Sequence, residues 1–179
     1  MSRNWRPGDR RADTASMLRV DQAGEYGATR IYAGQLAVLR ANGAEAKLIA
    51  RMAAQEQRHL DRFNRLMAER RVRPTLLQPL WDVAGFALGA ATALMSEEAA
   101  LACTDAGETE IDRHYGEQLD QIGGDDAELS ADIAEFRAEE LEHRDTAREA
   151  GAANAVGYPI LTAAIRAGCR VAIELSKRV

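Results

Sequence analysis

Two short segments, Gln55–Leu60 (QEQRHL) and Glu139–Arg144 (EELEHR), each place a glutamate three residues before a histidine. Residues three apart share one face of a helix, so Glu56 and His59, and likewise Glu140 and His143, can offer a carboxylate and an imidazole to one ion. The chain holds only 3 histidines in 179 residues, so two of them in this register set the pattern apart from the random glutamates of a solvated helix face.

A second pair of segments frames the first. Glu25–Tyr32 (EYGATRIY) and Glu108–Tyr115 (ETEIDRHY) both read E-x-x-x-x-R-x-Y, 83 residues apart. Glu25 precedes Glu56 by 31 residues and Glu108 precedes Glu140 by 32, which is the signature of an internal duplication. The order Glu, ExxH, Glu, ExxH matches helical bundles in which two helices each give a glutamate and two give Glu-x-x-His to a pair of metal ions.

The rest of the chain agrees with helices. Aromatic residues are 5% of the composition, prolines number 4, and no run alternates apolar with polar residues. Expected helices run from Thr14 to Ala41, ended by Asn42-Gly43, from Glu45 to Arg71, from Leu80 to Ile122 in one piece or two, from Ala127 to Glu149, and from Ile160 to Lys177. Pro74 and Pro79 bound the connector between the halves. At about 1.5 Å of rise per residue, each antiparallel hairpin brings its two glutamates to within one or two turns of the same level. The expectation is an all-α chain: a flexible N-terminal segment, 1–16, then one domain, 17–179, built from halves 17–73 and 80–150 and a C-terminal apolar helix, 160–177.

Four carboxylates facing one core are untenable unpaired, and two divalent ions carry the charge that cancels them. Oxygen-rich ligation with one imidazole per ion suits iron or manganese, whereas structural zinc more often takes thiolates. The expected ligands are Glu25, Glu56, His59, Glu108, Glu140 and His143. Tyr32 and Tyr115 each stand two turns beyond a ligand glutamate, where they either hydrogen-bond a carboxylate or substrate or simply pack in the core. His114 lies outside both ExxH pairs and is expected in a substrate or proton-transfer role beside Tyr115.

The net charge of −5 argues against a nucleic-acid protein. Arginines cluster at 3, 6, 10, 11 and 19 and again from Arg51 to Arg73, as a solvated face or, less often, a contact with an anionic lipid or nucleotide. Cys103 and Cys169 lack metal or redox spacing and read as buried thiols of a reducing compartment. The N-terminus has no apolar run of the kind a secretory signal needs. From Leu76 to Met95 the chain carries a single charge, Asp82. Interrupted by Pro79 and followed by Glu97 and Glu98, that stretch reads as an interfacial helix, not a membrane span, and Ile160–Lys177 has the amphipathic character of a segment lying on a bilayer. Burial against the bundle, or in a dimer interface, is the competing reading for both.

Long blocks of the sequence resemble the Coq7 (Clk-1) family of demethoxyubiquinone hydroxylases: MLRVDQAGEYGATRIYAGQLAVL, QEQRHLDRFN, RVRPTLLQPLWDVAGFALGAATALMSEEAALACT and EELEHRD. The resemblance covers Met17 to the C-terminus. It implies a ferritin-like four-helix bundle with two irons, with Glu56 and Glu140 as bridges, His114 and Tyr115 near the metals as catalytic groups, and apolar helices on a membrane. It further implies a polyprenyl benzoquinone substrate, O₂, NADH or a quinol form of the substrate as the electron source, and in eukaryotes a lipid-binding partner protein. One departure is Gln22, where many relatives read His. No G-x-G-x-x-G fingerprint marks a conventional nicotinamide site. The absence of a long presequence favours the cytoplasmic side of a bacterial inner membrane over the matrix side of a mitochondrial one. A ferritin-like ferroxidase is the main alternative, since it would use the same doubled Glu/ExxH pattern.

Overall fold

The computed structural model describes residues 12–41 and 43–178, and those residues form helices without a strand: α1 (Thr14–Val38), α2 (Ala44–Arg70), α3 (Gln78–Met95), α4 (Glu97–Ile122), α5 (Ala127–Glu149) and α6 (Tyr158–Ser176), with a 3-10 turn at Ala152–Asn154. Arg3, Arg6, Arg10, Arg11 and Asn42, singled out in the sequence, lie outside the described residues. Asp13 caps α1 by accepting a hydrogen bond from the Ser16 amide. The helix ends at Val38, short of Ala41, because Leu39 turns extended and buries its side chain in the core.

The expected third helix is two helices. Ser96 is extended at φ −175°, ψ 168°, and its hydroxyl accepts from the Ala99 amide. Glu97 and Glu98 follow in the first turn of α4, where acidic side chains favour the positive end of the helix dipole. A serine followed by two acids is thus the helix start that divides the expected Leu80–Ile122 segment in two.

The helices make two layers. Hairpins α1–α2 and α4–α5 form the inner layer, while α3 packs on α1 and α6 on α4. Contact between α1 and α3 is backbone to backbone: a Cβ added at Gly34 would lie 2.1 Å from the Phe86 carbonyl oxygen, and one at Gly89 would lie 1.9 Å from that of Ile31. Across α2 and α5 the helices are joined by ion pairs. Arg62 donates to Asp132 at 2.9 Å and to Glu128 at 3.0 Å, Arg70 reaches Asp126 and Glu128, and Arg58 reaches Glu139. These arginines of the second basic cluster are therefore spent on α5.

Two apolar clusters bracket the middle of the inner layer. One contains Leu18, Phe63, Leu66, Tyr115, Ile133 and Phe136, the other Tyr32, Leu39, Ile49, Met52 and Ala100. Between them lie the glutamates and histidines. Cys103 is buried beside Ile165, whereas Cys169 is half-buried, not fully buried as expected; both are free thiols. No described helix is long and apolar enough to cross a membrane.

Gly89→Ala should lower stability by about 3 kcal/mol, because the new methyl meets backbone that cannot yield. Gly27, where a Cβ meets nothing within 4 Å, serves as the contrast: Gly27→Ala should leave stability unchanged or raise it by up to about 1 kcal/mol. Urea unfolding followed by circular dichroism measures both.

Candidate metal centre

Glu25 comes from α1, Glu56 and His59 from α2, Glu108 from α4, and Glu140 and His143 from α5; all six are buried. They form two overlapping groups, Glu25/Glu56/His59/Glu140 and Glu56/Glu108/Glu140/His143. Within each, one ligand atom per residue lies within 4.8 Å of the others. Glu56 and Glu140 belong to both groups, the positions that bridging carboxylates would hold.

Both imidazoles turn Nδ1 inward. His59 Nδ1 stands 3.1 Å from Glu140 Oε1 and 3.4 Å from Glu25 Oε2; His143 Nδ1 stands 3.1 Å from Glu56 Oε1 and 3.1 Å from Glu140 Oε2. Yet Glu25 Oε2, Glu56 Oε1 and His59 Nδ1 have no hydrogen-bond partner among the described residues. Buried polar atoms are seldom left so. Orphaned oxygens and a nitrogen converging on two small spaces, with four carboxylates and two imidazoles, fit two divalent ions of the iron or manganese type.

The charge balance points the same way. Burial, then repulsion from Glu140, pushes the Glu56 and Glu108 carboxyls well above their ordinary range; burial also raises Glu140, against the pull of His59. Burial pushes Glu25 up, but the closeness and charge of His59 outweigh it and leave Glu25 below its ordinary value. His59 is held up to about 11: burial lowers it, but Glu140 and Glu25 overcome that. Burial lowers His143.

The two tyrosines are crossed. Tyr32, two turns beyond Glu25, donates to Glu108 Oε1 at 2.8 Å, and Tyr115, two turns beyond Glu108, donates to Glu25. Each half thus supplies the donor for the other half's glutamate. Burial, then the facing carboxylates, keeps both phenols protonated far above their ordinary range. His114 lies farther out: its Nε2 is 3.2 Å from Asp21 Oδ1 and 3.0 Å from Gln118 Nε2, and it borders a cavity of about 180 Å³ with Ser16, Glu117 and Lys177. Gln22 hydrogen-bonds Asn64 at 3.2 Å and not a ligand carboxylate.

Sequence reasoning missed Gln55 and Glu139, which hold the outward nitrogens: His143 Nε2 is 3.0 Å from Gln55 Oε1 and His59 Nε2 is 2.9 Å from Glu139 Oε2. Each stands immediately before an ExxH glutamate, a shared offset that could have marked them. Asp21 and Gln118 were missed as well: Gln118 stands at i+4 from His114 on α4, a spacing that could have marked it, whereas no spacing rule links Asp21 to His114.

Residues 12–176 match the family model described as ubiquinone biosynthesis protein COQ7. The chain belongs to the COQ7 family. It is 57% identical over 162 residues to a Rhodospirillum rubrum protein named 3-demethoxyubiquinol 3-hydroxylase, covering 90% of this chain and 76% of that one. A human protein named NADPH-dependent 3-demethoxyubiquinone 3-hydroxylase, mitochondrial, is 50% identical over 173 residues, covering 94% and 79% of the two chains. The Saccharomyces cerevisiae protein named 5-demethoxyubiquinone hydroxylase, mitochondrial, is 45% identical over 179 residues, with 91% and 77% covered.

For this COQ7 chain without metal, Glu56, Glu108 and Glu140 hold protons above the ordinary carboxyl value of 4.5, and His59 does so above 6.5. As pH rises through that range the folded state binds more protons than the unfolded state, so its stability falls. The melting temperature of metal-free protein should therefore drop between about pH 5 and about pH 8, and added divalent metal should recover most at the upper end. Thermal unfolding with and without chelator measures this.

Proposed function

We propose that the chain is an O₂-dependent di-iron monooxygenase that hydroxylates the ring of demethoxyubiquinone, 2-polyprenyl-3-methyl-6-methoxy-1,4-benzoquinone, in ubiquinone biosynthesis. The observation that carries the reading is the pair of buried Glu/ExxH groups sharing Glu56 and Glu140, in a chain whose relatives bear hydroxylase names. In this reading residues 17–179 are one ferritin-like domain of two similar halves.

Glu25, Glu56, His59, Glu108, Glu140 and His143 would hold two irons, which when bound supply the electrons that reduce O₂, one oxygen atom going to the ring and the other to water. The protein's part is to hold those ligands dry and aligned. Tyr115 and Tyr32 fix the rotamers of Glu25 and Glu108, and the flanking apolar clusters exclude bulk water. His114, at the cavity wall against Asp21, carries protons between solvent and the interior. The electron source is a reduced nicotinamide: the sequence favours NADH, while the human relative is named for NADPH.

The tail of the substrate lies in a lipid surface on which α3 and α6 rest, bound peripherally to the cytoplasmic side of a bacterial inner membrane or the matrix side of a mitochondrial one, with or without a lipid-binding partner protein. Val83 and Leu94 of α3 and Val171 of α6 are exposed, and Trp81 of α3 donates to Ser176 of α6 at 3.1 Å, tying the two helices. Val83→Asp with Val171→Asp should cut flotation with anionic liposomes at least about tenfold while metal content stays unchanged. Retained flotation would count against this orientation.

Iron-loaded protein, a short-tailed demethoxyubiquinone, a reduced nicotinamide and ¹⁸O₂ should give a product carrying one ¹⁸O by mass spectrometry, and Glu140→Ala should abolish it. Iron oxidised without label in the quinone, the metal centre having been reduced, would instead favour the ferroxidase reading.

A further inference from the structure

Most contacts around the two candidate metal positions are repeated in both halves; the partner of the outward histidine nitrogen is not. Each position draws on Glu56 and Glu140, adds one further glutamate and adds one imidazole through Nδ1. Each further glutamate accepts from the other half's tyrosine. The outward nitrogen of each histidine, which must carry the proton when Nδ1 faces a metal, meets the residue that precedes the other half's ExxH glutamate. For His143 that residue is Gln55, a neutral amide; for His59 it is Glu139, a carboxylate.

From this the geometry points to two metal positions of unequal affinity, with Glu139 the positioning residue that makes the His59 position the tighter one. The inference rests on the metal-centre reading above. A carboxylate accepting the N–H of a ligating imidazole fixes the ring and increases its donor strength. An amide oxygen fixes the ring but adds no charge. Glu139 Oε2 accepts from His59 Nε2 at 2.9 Å, from Arg58 Nη2 at 3.0 Å and from Gln55 Nε2 at 3.3 Å. Arg58 offsets part of its charge and Gln55 is oriented by it, so that the amide oxygen is left to face His143. Stacking of His59 on Phe136, with ring centroids 4.0 Å apart, sets the ring plane independently of Glu139. What Glu139 adds is therefore chiefly electronic.

The test uses the full-length metal-free chain titrated with Mn(II) in the absence of O₂, read by calorimetry and electron paramagnetic resonance. At one equivalent the mononuclear six-line signal should dominate, and the second equivalent should replace it with the signal of a coupled pair. Calorimetry should resolve two phases separated by about 10- to 100-fold in affinity. The tight phase should survive His143→Ala and vanish in His59→Ala. Glu139→Gln should weaken the tight phase by about tenfold and close the gap, whereas Gln55→Glu should tighten the weak phase by a similar factor. That gain cannot arise from a damaged fold. Two ions taken up with equal affinity by the unmodified chain, or both phases weakened equally by Glu139→Gln, would overturn the proposal while leaving the metal centre intact. No uptake of manganese would remove both.

Discussion

Four glutamates brought into one core are the constraint on which the rest of the fold depends. Two unit charges about 4 Å apart repel by roughly 4 kcal/mol at the effective dielectric of a protein interior. Here carboxylate oxygens from three glutamates crowd into each of two groups, within 4.8 Å of one another and of an imidazole. No single neighbour offsets that. The chain spreads the cost over two inward imidazoles, two phenol donors and the protons that the raised carboxyls retain, and this arrangement remains incomplete, since ligand atoms are left unpaired. An interior built in that way favours whatever positive charge can enter it, so metal affinity and the instability of the metal-free fold share one cause.

The duplicated E-x-x-x-x-R-x-Y can be explained residue by residue. Glutamate and tyrosine, seven residues apart, lie on the inward face of their helix; arginine, five beyond the glutamate, lies on the outward face. On α1 the outward Arg30 pairs with Asp82 of α3. On α4 the outward Arg113 donates to buried Glu110 at 2.9 Å, and Glu110 in turn receives Arg166 of α6 at 2.7 Å. Both copies serve the centre, through a glutamate and a tyrosine that act on opposite halves; the first copy's arginine also anchors α3, while the second's stays on its own helix, beside the Glu110 that receives α6. The crossing makes the halves interdependent. Losing Tyr115 would strand Glu25 of the first half, not the glutamate of its own helix.

The sequence made the inner helices and the six ligand candidates legible because both obey a period. Glu and His at i and i+3, and halves offset by a near-constant length, survive as text. Contacts that join helices in space do not. Gln55 and Glu139 act on histidines 88 and 80 residues away, and His114 meets Asp21 across 93 residues; no local rule names those partners. A break between Leu80 and Ile122 was allowed for, and its place at Ser96 could be read from an N-cap followed by two acids. The arginines of α2 looked like a solvated face because their partners, Asp126, Glu128, Asp132 and Glu139, sit on a helix that begins beyond residue 120.

Helix α3 inverts the usual amphipathic plan. Its buried residues are Gly85, Gly89, Thr92 and Ala93, all small, whereas Leu80, Val83, Leu94 and Met95 are exposed. A helix that adds only to a protein core would turn its large side chains inward, where each stabilises by about 1.5–3 kcal/mol. This one instead uses glycine to bring its backbone against α1, on the face of that helix opposite the carboxylates. The close approach recovers dispersion contacts and leaves the large apolar side chains free for another phase. α6 does so only in part: Ile160, Val171 and Leu175 are exposed, but Ile165 and Ile173 are buried, and arginine pairs to Glu110 add to its attachment to α4. Two outer helices that leave large apolar side chains exposed suit the proposed lipid-tailed substrate: in that reading the outer layer would meet lipid without disturbing the inner layer that holds the ligands.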